Sequence, residues 1–305
     1  MNFWANLNQY RRRLLLLSPV LLLLFGGMVL PMTIMVVASL SGAADYGGVS
    51  WGKFSAAAYG QFLFERNFDD QLVFNSGYLL IFLRSFELAT LTTLGCLILG
   101  FPTALFIALQ PIQRRNTLLI LVSIPFWTNL LVRIYAWIVL LRDGGNIEQV
   151  LHRLNLTTGP LGLMYTDTAT AIGLLYAFLP FMILPIYASL ERLDWRLVDA
   201  ARDLGANSWH VLRRIIIPLA LPGIISGCTL VFVPALGMYI IPNLLGGSKF
   251  LMIGNLIHLQ FTNAHNWPLG AALSFVLLGL VLLGMLVRKV RFIKTKTRGQ
   301  THEYV

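Results

Sequence analysis

Residues 199–222 read Asp199-Ala-Ala-Arg-Asp-Leu-Gly205-Ala-Asn-Ser-Trp-His-Val-Leu-Arg-Arg-Ile215-Ile-Ile-Pro218-Leu-Ala-Leu-Pro222. This polar stretch lies between two long apolar runs. The chain around it is greasy: 305 residues, 57% hydrophobic and 12% charged, with a mean hydropathy of +0.72. A soluble protein of that length carries about twice the charged fraction. A bilayer crossing needs roughly 20 consecutive apolar residues. Six runs qualify, at about 14–40, 84–109, 117–141, 168–190, 219–242 and 267–287. The expectation is an all-α membrane protein with six transmembrane helices, in which residues 199–218 lie in water beside the membrane.

The net charge of +10 first suggests nucleic acid, but its distribution argues against that partner. Arg11, Arg12 and Arg13 precede the first span; Arg114 and Arg115 separate the second and third. Arg192, Arg196, Arg202, Arg213 and Arg214 separate the fourth and fifth. Arg288, Lys289, Arg291, Lys294, Lys296 and Arg298 follow the sixth. The alternate loops hold Lys53, Arg66, Arg142, Arg153 and Lys249, and Arg84 and Arg133 fall within spans. Positive charge accumulates on the cytoplasmic side, so both termini are expected there. The parts follow: a cytoplasmic tail over 1–13, a six-span domain over 14–288 with a polar loop over 191–218, and a basic cytoplasmic tail over 289–305. The run Leu14–Ala38 exceeds a cleavable signal core, so a retained anchor is expected.

The longest connection, 41–83, is rich in Gly, Ser and aromatics, and one or two short surface helices are expected in it. Its segment Gly47–Phe54 approaches a phosphate-binding loop, but Phe54 stands where a Mg²⁺-binding Ser or Thr is required. Phe250–Leu259 is apolar yet too short to cross, which suggests an external or re-entrant helix. Cys96 and Cys228 fall mid-span, as small apolar fillers, and the five His show no metal-ligand spacing. No chemistry of its own, no metal and no bound cofactor are expected.

The polar stretch reads as two short helices around a glycine. Asp194 can accept the free amides of a helix starting at Trp195. Gly205 can take the left-handed conformation that ends a helix. Asn207 or Ser208 can cap the next, and Pro218 closes the element. Trp195, Leu197, Val198 and Leu204 are superfluous on a solvated helix, whereas a helix laid into a partner's groove needs them. The spans are interrupted by Pro102, Pro125, Pro180, Pro185, Pro234 and Pro242; proline removes a backbone donor and kinks a helix, which suits a transporter that opens to alternate sides. Gly223 and Gly227 have the spacing for close helix packing.

Asp199-Ala200-Ala201, Gly205 after three further residues, and Ile215 with Pro218 nine residues beyond resemble the Glu-Ala-Ala loop of ABC importer permeases. Asp199 replaces the family's Glu and Ile217 its Leu. The resemblance implies a type I importer (MetI-like) permease fold. It makes Asp199, Ala200, Ala201, Arg202, Asp203 and Gly205 a coupling helix that docks on a cytoplasmic ATPase, where ATP and Mg²⁺ are bound. Pro125–Trp137, Asn243–Gly247, Met252–Asn255 and Asn266–Gly270 resemble the polyamine (spermidine/putrescine) branch, closest to the first of its two permeases. That implies a second permease subunit in a pseudo-two-fold heterodimer, an ATPase homodimer, an external polyamine-binding protein and residence in a bacterial inner membrane.

For a polycation path the residues offer several candidates. Asp45, Glu65, Asp69, Asp70, Asp143, Glu148 and Asp167 make the external loops slightly acidic. Trp127, Tyr176, Phe181 and Tyr239 could hold ammonium groups by cation–π contact, with ordinary packing as the alternative. Glu87 is the only acid well inside a span, near its outer end, and is a path candidate, although Arg84 one turn away could pair with it. Arg133 would repel a polyamine. It is read as structural, bonded to carbonyls freed by a kink or to a neighbouring carboxylate. The competing readings are the same permease role for thiamine, iron or a small anion, and an ion-gradient-driven secondary transporter.

Overall fold

The computed structural model describes residues 2–44, 46–62, 64–66, 72–74, 76–157, 159–247 and 251–300. Asp45, Asp69, Asp70, Lys249 and Phe250, all singled out above, lie outside them, as does the end of the C-terminal tail. In chain order the elements are α1 (Asn2–Ser39), β1 (Ser41–Ala43), β2 (Val49–Phe54), α2 (Ala57–Gln61), β3 (Phe64–Arg66), β4 (Leu72–Phe74), α3 (Gly77–Ala108), α4 (Ile112–Trp127), α5 (Leu130–Leu141), α6 (Asn146–Arg153) and α7 (Asp167–Glu191). They continue with α8 (Arg196–Asp203), α9 (Ser208–Val211), a π-helical turn (Leu212–Ile216), α10 (Ile217–Gly237), α11 (Ile240–Leu245), α12 (Ile253–Thr262) and α13 (Trp267–Gln300). Among the described residues five helical stretches are long and apolar enough to cross a membrane; α4 with the stretch Leu130–Arg153, which holds α5 and α6, makes a sixth if a pair bent by 91° counts as one crossing.

The chain forms two compact units, Gly77–Leu256, and Met1–Ser76 with Ile257–Val305. In the first, α7 packs against α3 and α10, which also meet each other. α7 is the most enclosed of the spans, with 56% of its apolar window buried against 0% for α1. Leu174, Met182, Ile186 and Leu190 give it a fully buried stripe. Lipid tails are as apolar as leucine, so close van der Waals fit rather than water exclusion holds such helices together. Gly223 and Gly227 supply that fit: a Cβ on Gly223 would stand 2.4 Å from the Pro185 carbonyl oxygen and from Ser189 Oγ, and one on Gly227 would stand 2.8 Å from Met182 Sδ. Several span hydroxyls are satisfied locally, while Thr92 Oγ1 on α3 is buried with no partner among the described residues. Ser85 Oγ donates to the Ile81 carbonyl at 2.7 Å and accepts from Ile253 N at 2.8 Å, pinning the start of α12 to α3.

In the second unit α1 lies against α13. Asn266 caps α13 by accepting from Leu269 N at 3.2 Å, with Pro268 in the first turn, where its missing donor is harmless. Among its described residues the connection after α1 holds one short helix, α2, within the expectation of one or two, and also two antiparallel hairpins, β1–β2 and β3–β4, that were not expected. Gly47 and Gly48, at φ +90° and +87°, make the turn, and Gly48 N donates to the His265 carbonyl at 2.7 Å. Gly47–Phe54 is therefore a turn and a strand rather than a glycine loop that opens directly into a helix N-terminus, as phosphate binding requires.

Several span boundaries also move. α3 begins at Gly77 rather than 84, because Tyr78–Leu83 is apolar enough to extend it. The third span is two helices. Thr128 is extended at φ −94°, ψ 145°, Asn129 caps α5, and Pro125 withholds a donor from the last turn of α4. The fifth runs from Ser208 to Gly237 and breaks at an extended Met238, so Tyr239 and Pro242 leave the span. Pro218 does not close the helix. The π turn just ahead of it widens the backbone where the proline cannot donate and its ring would meet the carbonyl four residues back.

Candidate functional site

The polar stretch between α7 and α10 folds as two short helices. Asp194 Oδ1 accepts from Arg196 N at 3.1 Å, which starts α8 one residue later than expected. Gly205 adopts φ +84°. The chain then turns back: Gly205 N donates to the Arg202 carbonyl at 2.9 Å and Ala206 N to the Ala201 carbonyl at 3.0 Å. Asn207 caps α9, its Oδ1 accepting from His210 N at 2.8 Å. Ahead of the hairpin, Tyr187 Oη donates to Glu191 Oε1 at 3.0 Å and ties down the last turn of α7.

The apolar residues of this hairpin divide. Val198 and Val211 are buried within the chain, while Leu197, Leu204 and Trp209 are exposed, Leu204 by 90%. Between α8 and α9 lies an open cleft of about 530 Å³, lined among others by Ala201, Leu204, Gly205, His210, Arg214 and Ile215. Arg196, Asp199, Arg202 and Asp203 are all exposed around it. The arrangement is a small rigid knob: capped at both helix starts, with apolar side chains outward and charges of both signs at its rim. Among the described residues no cluster of His, Cys, Asp or Glu could hold a metal ion.

Within the spans, the aromatic candidates are distributed over separate places. Phe181 meets Phe126 edge-on at 4.7 Å and Phe178 at 6.1 Å. Tyr176 meets Trp137 at 5.6 Å. Trp127 ends α4 at the helix break and is 88% exposed. Tyr239, placed mid-span by the sequence, sits at the break between α10 and α11, where its carbonyl accepts from Asn255 Nδ2 at 3.1 Å. Phe126 and Trp137 were expected on one helical stripe with Asn129 and Arg133, whereas Asn255 escaped notice as an individual residue although it lies in a segment marked by resemblance.

The intramembrane charges differ from expectation. Arg84 reaches Asp167, in the first turn of α7, rather than Glu87. A carboxylate in the first turn of a helix is favoured by the helix dipole and makes a charge-assisted bond to the guanidinium, so it outcompetes an acid one turn along the same helix as Arg84. Glu87 points outward from α3 and, among the described residues, has no hydrogen bond or ion pair. Arg133 is in the first turns of α5, but neither a freed carbonyl nor a carboxylate meets it among the described residues; its Nε is buried without a partner. The Asn129 side chain takes up a free amide at that break instead, accepting from Leu131 N at 2.8 Å.

Residues 97–291, which contain the whole hairpin, match the family described as the binding-protein-dependent transport system inner membrane component. The chain is 47% identical over 209 residues to the spermidine/putrescine transport system permease protein PotB of Escherichia coli strain K12, covering 68% of this chain and 76% of that protein. Its fold is similar to that of a subunit of a bacterial ABC transporter involved in import of the acidic polysaccharide alginate, at TM-score 0.66 and 15% identity, over 95% of this chain and 99% of that one. It is likewise similar to a chain of the inward-facing MetNI methionine ABC transporter, at TM-score 0.52 and 16% identity, over 72% and 97%. The knob between α7 and α10 thus sits in a multi-pass membrane helix bundle with the type I ABC importer fold, a transport subunit rather than an enzyme, and the chain belongs to the family of binding-protein-dependent transport system inner membrane components.

Proposed function

We propose that the chain is one of two channel-forming permeases of an ATP-driven polyamine importer of a bacterial inner membrane. It pairs with a second, different permease about a pseudo-two-fold axis. The α8–α9 knob docks on a cytoplasmic ATPase homodimer, which alone binds ATP and Mg²⁺, and an external binding protein delivers the cargo. Both termini face the cytoplasm, as the loop cations favour; the tails over 1–13 and 289–305 flank a single permease domain. ATP-driven closure of the ATPase moves the knob, the spans turn outward, and hydrolysis returns them inward. Asp199, Ala200, Ala201, Arg202, Asp203 and Gly205 form the docking surface. Trp127, Tyr176, Phe181 and Tyr239 line the path and hold ammonium groups by cation–π contact.

The observation that carries this reading is the knob itself. Its outward Leu197, Leu204 and Trp209 and its left-handed Gly205 support a docking role. The likeness to a spermidine/putrescine permease supports the cargo. A second reading, the same machine with a small anion, draws on the unpartnered Nε of Arg133. Uptake into vesicles with the assembled importer tests both. Polyamine uptake that requires ATP on the ATPase side and survives an uncoupler is expected. Uptake abolished by the uncoupler would replace the ATP-driven reading with a gradient-driven carrier. Competition among putrescine, spermidine, thiamine and glycine betaine identifies the cargo class.

A further inference from the structure

The outward face of α3 is one stripe: Leu80, Leu83, Leu91, Leu94 and Ile98 are exposed large apolar residues at helical spacing, and Glu87 stands in the middle of them. The opposite face, with Ser85, Leu88, Ala89, Thr92 and Cys96, is buried against α7 and α10. Glu87 is ten residues from Gly77, hence about 15 Å along a helix rising 1.5 Å per residue, and the hydrocarbon core is about 30 Å thick. Arg84 meets Asp167 at the start of α7, so the carboxylate lies one turn inside that pair, in the outer part of the span.

A bare carboxylate toward lipid tails is costly, and intramembrane acids face a partner or an aqueous path. The one cation a turn away, Arg84, is engaged by Asp167. Among the described residues, Glu87 is the only carboxylate in the interior of the five unbroken candidate spans. It thus supplies negative charge where no side chain among the described residues pairs with it. We infer that the Glu87 stripe of α3 faces the translocation path and that the Glu87 carboxylate receives an ammonium group of the cargo as it crosses. This rests on the polyamine reading and deepens it. An alkyl polycation presents methylene runs to the flanking leucines and a charge to Glu87, and the stripe offers both chemistries in that order.

The test uses the complete importer in proteoliposomes, with Glu87→Gln and Glu87→Asp beside the unaltered chain. The readouts are the turnover of spermidine and putrescine uptake, ATPase stimulation by the loaded binding protein, and retention of the second permease on purification. Glu87→Gln is expected to lower uptake turnover about tenfold or more, the scale of losing a charged hydrogen bond. Subunit association and ATPase stimulation should hold, and Glu87→Asp should keep more turnover than Gln. Unchanged uptake by Glu87→Gln overturns the inference and leaves the polyamine reading intact. Loss of the second permease from the Gln variant also overturns it, since the carboxylate would then be pairing with a subunit rather than the cargo. If the unaltered importer takes up no polyamine, the cargo reading fails first and the inference with it.

Discussion

Gly205 combines two requirements that only glycine meets together. Its backbone is left-handed, where a side chain is strained by about 1–3 kcal/mol, and it lines the cleft between α8 and α9 without occupying it. A Cβ there would meet nothing within 4 Å in the chain itself. Gly205→Leu should therefore leave a folded, membrane-inserted protein but fill the docking surface. An expected overpacking penalty of about 1–3 kcal/mol corresponds to about a 5- to 150-fold loss of ATP-dependent uptake, measured at matched protein levels in vesicles. Full uptake would remove the knob from the coupling role. At the ends of α3 and α7, Arg84 and Asp167 are about a third and a half exposed, so their pair is worth little, under ~1 kcal/mol. Asp167→Asn should shift the melting temperature of the detergent-purified chain only slightly; a large drop would mean the pair is shielded from water. The left-handed turn was legible from Gly205 and its flanking caps. The partner of Arg84 was not, because Asp167 is 83 residues away in sequence.

Among elements, the crossing of α7 and α10 tolerates no added volume. Pro185 and Ser189 stand where a Gly223 side chain would go, and backbone cannot give way as a flexible side chain can. Gly223→Leu is expected to lower the thermal stability of the purified chain by about 1–3 kcal/mol or more, read as an earlier melting transition and poorer recovery. An unchanged transition would mean these helices pack otherwise. The π turn at Leu212–Ile216 joins the knob to α10, and Pro218 is its local cause. Pro218→Ala lets the turn tighten to an α-helix, which rotates α8 and α9 relative to the span. The expected outcome is a lower ratio of cargo moved to ATP hydrolysed, with the ATPase still bound; an unchanged ratio would show that the turn transmits nothing. The breaks at Thr128–Asn129 and Met238 follow from prolines the sequence displayed. Proline reports only that a donor is missing, however. Whether a helix bends, widens or separates depends on which neighbours take up the freed groups, as Asn129 does for α5 and Asn255 for the Tyr239 carbonyl.

For the whole molecule, the orientation proposed from loop cations predicts which surfaces react with a membrane-impermeant thiol reagent. In a chain with Cys96 and Cys228 replaced by alanine, a cysteine at Asn207 should label only from the cytoplasmic side and one at Asp143 only from outside; the reverse would invert the topology. Composition and charge placement determined by themselves that this is a multi-span helical membrane protein with a polar loop ahead of the fifth crossing, because apolar length and charge clustering are local properties that lipid and water read directly; the permease reading came from the resemblance of Asp199 to Pro218 to a family's loop. Tertiary structure alone decided that Arg84 belongs to Asp167, that the third crossing is two helices at nearly a right angle, that the long connection folds into hairpins, and that Glu87 looks outward unpaired. Each of these depends on which groups compete in space for one charge, one carbonyl or one packed face, and chain order does not record that competition.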